Sequence, residues 1–177
     1  MPDARPDVTT RAIRAEDRAP LAALLGRIAQ FAPGEVEVAL ELIDASISDP
    51  DATGYATRVA LVDREVAGYV CFGPTPMTAA TWDLYWIAVD PARQGRGIGR
   101  ALYAAFAAHL GERGGRNIRI ETSSKEDYAA TGGFYERLGF RIDGRLRDFY
   151  AEGDDLLVFY RTLEAGGPAR APAADLG

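Results

Sequence analysis

Between Trp82 and Leu110 the chain switches from a strand-like to a helix-like hydrophobic pattern, and the switch falls on a run of glycines and arginines. Trp82 to Val89 is apolar, aromatic and β-branched, and Asp90-Pro91 ends it, so it is expected as a strand. Beyond the run, Ile98, Ala101, Leu102, Ala105, Phe106 and His109 recur at spacings of three and four, which puts them on one face of a helix over Gly99 to Leu110. The connector Gln94-Gly95-Arg96-Gly97-Ile98-Gly99-Arg100 thus joins a strand to a helix start. The first amides of a helix have no intrahelical acceptor and its dipole favours an anion, so the connector is a candidate phosphate cradle. Glycines let the backbone approach such a group, and Arg93, Arg96 and Arg100 concentrate positive charge there. One helix-end contact contributes about 0.3–2 kcal/mol, so several must act together.

Around this unit the rest of the chain alternates. A strand at Val8 to Ile13 leads into Glu16-Asp17 and a helix carrying Leu21, Leu24, Leu25 and Ile28. A second helix follows Pro33-Gly34 with Val36, Ala39, Leu40 and Ile43. Tyr55 to Val62 and Val66 to Phe72 pair as a hairpin about Asp63-Arg64-Glu65. After the central unit come a strand at Ile118 to Thr122, a helix at Tyr128 to Leu138 closed by Gly139, and two strands from Arg141 to Thr162 around Glu152-Gly153. This order predicts an α/β fold in a single domain over residues 8–163. Flexible tails are expected at 1–7 and at 164–177, where Gly, Pro and Ala leave little to bury.

With 177 residues and 47% apolar content, the chain suits one globular domain. It has no apolar run long enough for a membrane helix and no signal-like start, so a cytoplasmic location with no membrane partner is expected. The net charge of -6 argues against nucleic acid as a partner. A single Cys71 and a single His109 do not make a zinc site, and both fall on apolar faces where packing is the expected role.

Two phosphate-binding signatures fail on the connector. A P-loop needs Gly-Lys followed by Ser or Thr, but Arg100 and Ala101 follow Gly99. A dinucleotide fingerprint needs glycine at position 100 after Gly95 and Gly97; Glu121, at a strand end, keeps that alternative open.

Gln94-Gly95-Arg96-Gly97-Ile98-Gly99 resembles the Q/R-x-x-G-x-G/A signature of the GNAT superfamily of acetyl-CoA-dependent N-acetyltransferases. Gly133-Phe134-Tyr135-Glu136-Arg137-Leu138-Gly139-Phe140 is similar to that family's later A-x-x-F-Y-x-x-x-G-F segment. The resemblance implies a GNAT-like fold, a mixed central sheet of about six or seven strands with flanking helices. It also implies acetyl-CoA as cosubstrate and direct transfer to an amine acceptor, small molecule or peptide. By the same analogy Ile87, Ala88 and Val89 pair with the pantetheine, and the stretch Gln94, Gly95, Arg96, Gly97, Ile98, Gly99 and Arg100 holds the diphosphate. Ser124 stands near a further cofactor contact, and the backbone N–H of Ile87 polarises the thioester.

A charged amine of pKa near 10.4 must lose a proton before it attacks, at about 4.6 kcal/mol at pH 7. Asp83 and Glu121 are the candidate bases; the resemblance favours Asp83, four residues before Ile87 where some family members carry a catalytic acid, and implies Tyr135, the tyrosine of the F-Y-x-x-x-G-F segment, as the acid for the departing thiolate. Trp82, Tyr85 and Trp86 are within reach of an acceptor cleft, but packing is the expected role of aromatic residues in a strand. A CoA-binding module without turnover and a dinucleotide-binding domain are the alternatives, and a homodimer through the late strands is the assembly that analogy offers.

Overall fold

A computed structural model describes residues 7–163. The tails expected at 1–7 and 164–177 fall, except for Asp7, outside these residues. Seven strands form one sheet in the order β1-β2-β3-β4-β5-β7-β6. They are β1 (Val8–Ala12), β2 (Ala56–Val62), β3 (Glu65–Pro74), β4 (Thr81–Val89), β5 (Asn117–Ser123), β6 (Arg141–Ala151) and β7 (Asp154–Thr162). All pairings are antiparallel except β4 with β5, so the sheet is mixed, as the strand order required. The antiparallel run β1 to β4 leaves no leading βαβ unit, which removes the structural basis of a dinucleotide-binding domain.

The helices are α1 (Arg18–Leu25), α2 (Pro33–Ser48), α3 (Pro50–Thr53), α4 (Ile98–Glu112) and α5 (Ala129–Arg137). On one sheet face Leu21, Leu24 and Leu25 of α1 and Ala39 and Ile43 of α2 pack on Val59, Tyr69 and Cys71. On the other, Ile98, Leu102, Phe106 and Leu110 of α4 pack with Phe72, Ile118 and Phe159, and Tyr135 of α5 joins them. These two layers follow from the periodicities: three-and-four spacing makes one apolar stripe per helix, and alternation makes two apolar faces on the inner strands. Among the described residues no helix is long and apolar enough to cross a membrane.

Three local details differ from the sequence expectation. Ile28 lies beyond the end of α1, where its amide donates to Leu25 O at 3.1 Å in a tight turn. The first hairpin turns on Asp63 and Arg64 alone, at φ 52° and 67°, and Glu65 already belongs to β3. Two successive left-handed residues match the right-handed twist of the flanking strands. The short helix α3 was not anticipated; the Asp49 carboxylate caps it, accepting from the amides of Asp51 and Ala52.

Candidate active site

β4 and β5 are paired only from Thr81–Asn117 to Asp83–Arg119. Past Asp83 the two strands separate, so the β5-facing edge of β4 from Leu84 to Val89 has no strand beside it. On its other edge β4 carries a bulge: Trp86 pairs with Cys71 and Leu84 with Phe72, leaving Tyr85 as the extra residue. The bulge changes the alternation, so that Tyr85 and Trp86 both pack with the α1/α2 layer while Leu84 and Ile87 pack with the α4 layer. The gap between the strands opens into a cleft of about 1060 Å³.

The connector lies where β4 ends. Gly95 and Gly97 have φ 76° and 82°, the left-handed region in which a side chain is strained. That conformation turns the chain into α4, and the first intrahelical bond runs from the Ala101 amide to Gly97 O at 3.0 Å. Among the described residues, no backbone amide from Gln94 to Arg100 donates a hydrogen bond to the protein. Arg96 and Arg100 are exposed and outside every ion pair among those residues, whereas Arg93 is bound to Glu65. A run of free amides at a helix start, beside two unengaged guanidiniums, fits a diphosphate. Gly99 lets α4 start close to α5: a Cβ there would sit 3.2 Å from the Phe134 ring.

The candidate acid and bases all border the cleft. Asp83 is 6% exposed and both its oxygens are engaged, one accepting from Arg119 Nε at 2.7 Å and the other from Thr75 Oγ1 at 2.9 Å. The pair holds the Arg119 guanidinium above its ordinary pKa. Glu121 is exposed, with one oxygen 3.4 Å from Arg119 Nη1. Tyr135 is 4% exposed, its hydroxyl has no hydrogen-bond partner among the described residues, and burial pushes its pKa up. Ile87, Ala88, Val89 and Gln94 line the cleft too. Ser124 does not: its amide donates to Asp155 O and its Oγ accepts from the Asp155 amide, both at 2.9 Å, which ties it to β7. Its expected cofactor contact gains no support from this arrangement. His109 packs edge-on to Phe72 and Trp82, and Cys71 is buried among apolar neighbours.

A family model described as an acetyltransferase (GNAT) domain matches residues 53–142. A solved structure from Desulfovibrio desulfuricans, assigned to the GNAT acetyltransferases, is 40% identical, with a TM-score of 0.84 over 88% of this chain and 99% of that one. The chain belongs to the GNAT acetyltransferase family. A mycothiol acetyltransferase of Nocardia farcinica is 34% identical over 92 residues, which cover 52% of this chain and 30% of that protein. The chain therefore spans less than a third of the length of this curated relative. In fold alone, the PaiA N-acetyltransferase of Thermoplasma acidophilum, solved in complex with coenzyme A, is similar at 15% identity and a TM-score of 0.70 over 88% and 99% of the two chains.

Several residues of this GNAT cleft were not singled out from the sequence. Tyr128 Oη donates to Glu35 Oε1 at 3.1 Å, bridging the start of α2 to the segment before α5. Burial, then Glu35, pushes the Tyr128 pKa up to about 12. Phe31 meets Trp86 edge-on at 5.2 Å between centroids, and Tyr55 meets Tyr85 likewise at 5.2 Å. Arg119 and Thr75 engage Asp83, and Tyr150 enters the lining from β6. Nothing local marks these residues; they come from elements far apart in the chain, and only the tertiary fold assembles them.

Proposed function

We propose that this protein transfers the acetyl group of acetyl-CoA directly to a cationic amine, and that the cleft between β4 and β5 is where the two substrates meet. One observation carries the reading: β4 parts from β5 just past Asp83, and its free edge runs toward a helix start where, among the described residues, the amides from Gln94 to Arg100 find no acceptor. The amides of Gln94 to Arg100, with Arg96 and Arg100, bind the diphosphate, and the open edge at Ile87 to Val89 pairs with the pantetheine. Acetyl-CoA supplies an activated acyl group. In the transfer a C–N bond forms and the C–S bond breaks; the amine gives up one proton and the thiolate takes one.

Glu121 is our choice of proton acceptor, because Asp83 already receives two hydrogen bonds and closes the β4–β5 junction. Tyr135 is the donor to the thiolate: it stays protonated because burial raises its pKa, and its hydroxyl is not committed elsewhere. The Ile87 amide polarises the thioester carbonyl. The acceptor is a cation because carboxylates outnumber cations around the cleft. Mycothiol, which names the curated relatives, is not carried over as the acceptor, because the match covers only a small part of those proteins.

The deciding experiment is thiol release from acetyl-CoA against a panel of amines, with wild type and Tyr135→Phe side by side. Amine-dependent release that drops about 10²-fold in the variant, with CoA affinity kept, is the expected result. CoA uptake without transfer to any amine would instead make the protein a binding module. A homodimer is proposed through β6, an edge strand exposing Ile142, Leu146, Phe149 and Tyr150. Sedimentation as a monomer at every concentration would rule that dimer out.

A further inference from the structure

One wall of the cleft and the diphosphate connector meet at an ion pair. Ile28, Gln30 and Phe31, in the linker 26–32 between α1 and α2, line the cleft, and so do Val89 and Gln94, which stand on either side of Asp90 in the chain. Arg27 and Asp90 themselves lie outside that lining. Arg27 Nη2 donates to one Asp90 oxygen at 2.9 Å. The other oxygen accepts from the Ala92 amide at 3.1 Å and so caps the short 3₁₀ helix Pro91–Arg93 that leads into the connector.

Asp90 is fixed on the sheet side. Its amide donates to Ala67 O of β3 at 2.9 Å, its carbonyl accepts from the Arg93 amide at 2.8 Å, and the Arg93 side chain is bound to Glu65 of β3. Asp90 is 7% exposed, and burial opposes its ionisation, but the Ala92 amide, Arg27 and Arg93 outweigh that cost and hold its pKa below 3.8. A charge so placed needs a partner, because a buried carboxylate without one is costly. The linker is held more loosely. Its amides at Arg27, Ile28 and Phe31 donate to carbonyls three residues back, those of Leu24, Leu25 and Ile28. Beyond the two flanking helices, its polar ties among the described residues are Arg27 to Asp90 and the Gln30 carbonyl, which accepts from Tyr128 Oη at 3.4 Å. Of these, the ion pair is the tie that reaches the connector.

We propose that Asp90 is a positioning residue that couples the two substrate sites. A diphosphate seated on the amides of Gln94 to Arg100 steadies the connector and the turn before it, Asp90 passes that constraint to Arg27, and Arg27 holds the linker so that Ile28 and Phe31 stay against the cleft. The inference rests on the reading of the connector as the CoA site and adds a regulation to it: the acceptor wall is ordered when the cofactor is bound. By linkage the effect is reciprocal, so a docked linker strengthens CoA binding by the factor by which CoA favours docking.

The test is hydrogen exchange with and without CoA, alongside calorimetric CoA affinity, in the wild type, Arg27→Gln, Arg27→Lys and Asp90→Asn. In the wild type CoA should slow exchange at 94–100 and also at 26–32, in the linker by about two- to fivefold, the range of one partly exposed ion pair. Arg27→Gln should keep the slowing at 94–100, lose it at 26–32 and bind CoA more weakly by the same factor. Arg27→Lys, which keeps the charge, should recover part of both effects. Asp90→Asn keeps an oxygen for the Ala92 amide and should behave as Arg27→Gln does. Arg27 is half-exposed, so its variants cover the case in which Asp90→Asn loosens the connector. Slowing at 26–32 that is absent from the wild type, or equal in the wild type and Arg27→Gln, overturns the coupling and leaves the CoA site standing. No CoA uptake by the wild type overturns that site and the coupling with it.

Discussion

Asp83 and Glu121 face the same cleft but differ in how many donors already hold their oxygens. Asp83 accepts from Arg119 and Thr75, one on each oxygen, while Glu121 has a single guanidinium at 3.4 Å and is otherwise open to water. A carboxylate with a free lone pair facing the acceptor is the better proton acceptor. Glu121→Gln is accordingly expected to lower kcat by about 10²- to 10⁴-fold, whereas Asp83→Asn should show first as lost stability, measured by urea unfolding. Full kcat in Glu121→Gln across the amine panel would remove Glu121 from the mechanism. The sequence offers both acids by residue type and by their place on strands, and the family resemblance favours Asp83. The donors that hold Asp83, Arg119 and Thr75, lie 36 and 8 residues away and become neighbours only in the sheet.

Helix α4 shows how one element serves two purposes. Its N-terminus depends on Gly97 at φ 82°, and a Cβ at that position would meet no atom of the protein within 4 Å. Substitution there strains the backbone by about 1–2 kcal/mol but clashes only with what binds the loop. Gly97→Leu should fold, lose a few degrees of Tm and bind CoA about tenfold or more weakly; unchanged CoA affinity by calorimetry would refute the diphosphate cradle. Near the other end of α4, Arg58 Nη2 donates to His109 Nδ1 at 3.2 Å. Burial first, then Arg113 and Arg58, disfavours the imidazolium and lowers the pKa from 6.5 to about 4. The unfolded chain binds this proton at a pH where the folded chain does not, so stability falls as pH drops from 6.5 toward 4. His109→Gln should flatten that part of the stability profile in urea unfolding, and an identical slope would rule the group out. Asp17 acts lower down: its burial opposes ionisation, but the hydrogen bonds from Arg11 and the Arg14 amide outweigh it and depress its pKa below 3.8, so its contribution is lost only on further acidification.

At the scale of the molecule, the sheet is two leaves, β1 to β4 and β5 with β7 and β6, joined by the short Thr81–Asp83 pairing and the Asp83–Arg119 ion pair. The α4 layer packs across both leaves and keeps them together. Arg119→Ala should cost about 2 kcal/mol and speed hydrogen exchange in Thr81–Asp83 and Asn117–Arg119 more than in β2 and β3. Uniform acceleration through the sheet would show that the junction carries no special weight. Charge is divided on the same plan: Arg96 and Arg100 are exposed at the start of α4, while Glu35, Glu121 and Asp127 line the cleft.

The elements and the strand–glycine loop–helix order were legible in the sequence because they rest on local physics, hydrophobic period and glycine-rich turns, while the mixed sheet of about six or seven strands was implied by the family resemblance. Boundaries shifted where a cap or turn outweighed the pattern, as at Ile28 and at the Asp49-capped α3. Only the tertiary structure decided where β4 leaves β5, that Asp83 takes two hydrogen bonds while Glu121 has a single guanidinium at 3.4 Å, and how Tyr128 meets Glu35 from 93 residues away. Contacts of that kind depend on strand register and layer packing, and no short-range pattern in a single chain encodes them.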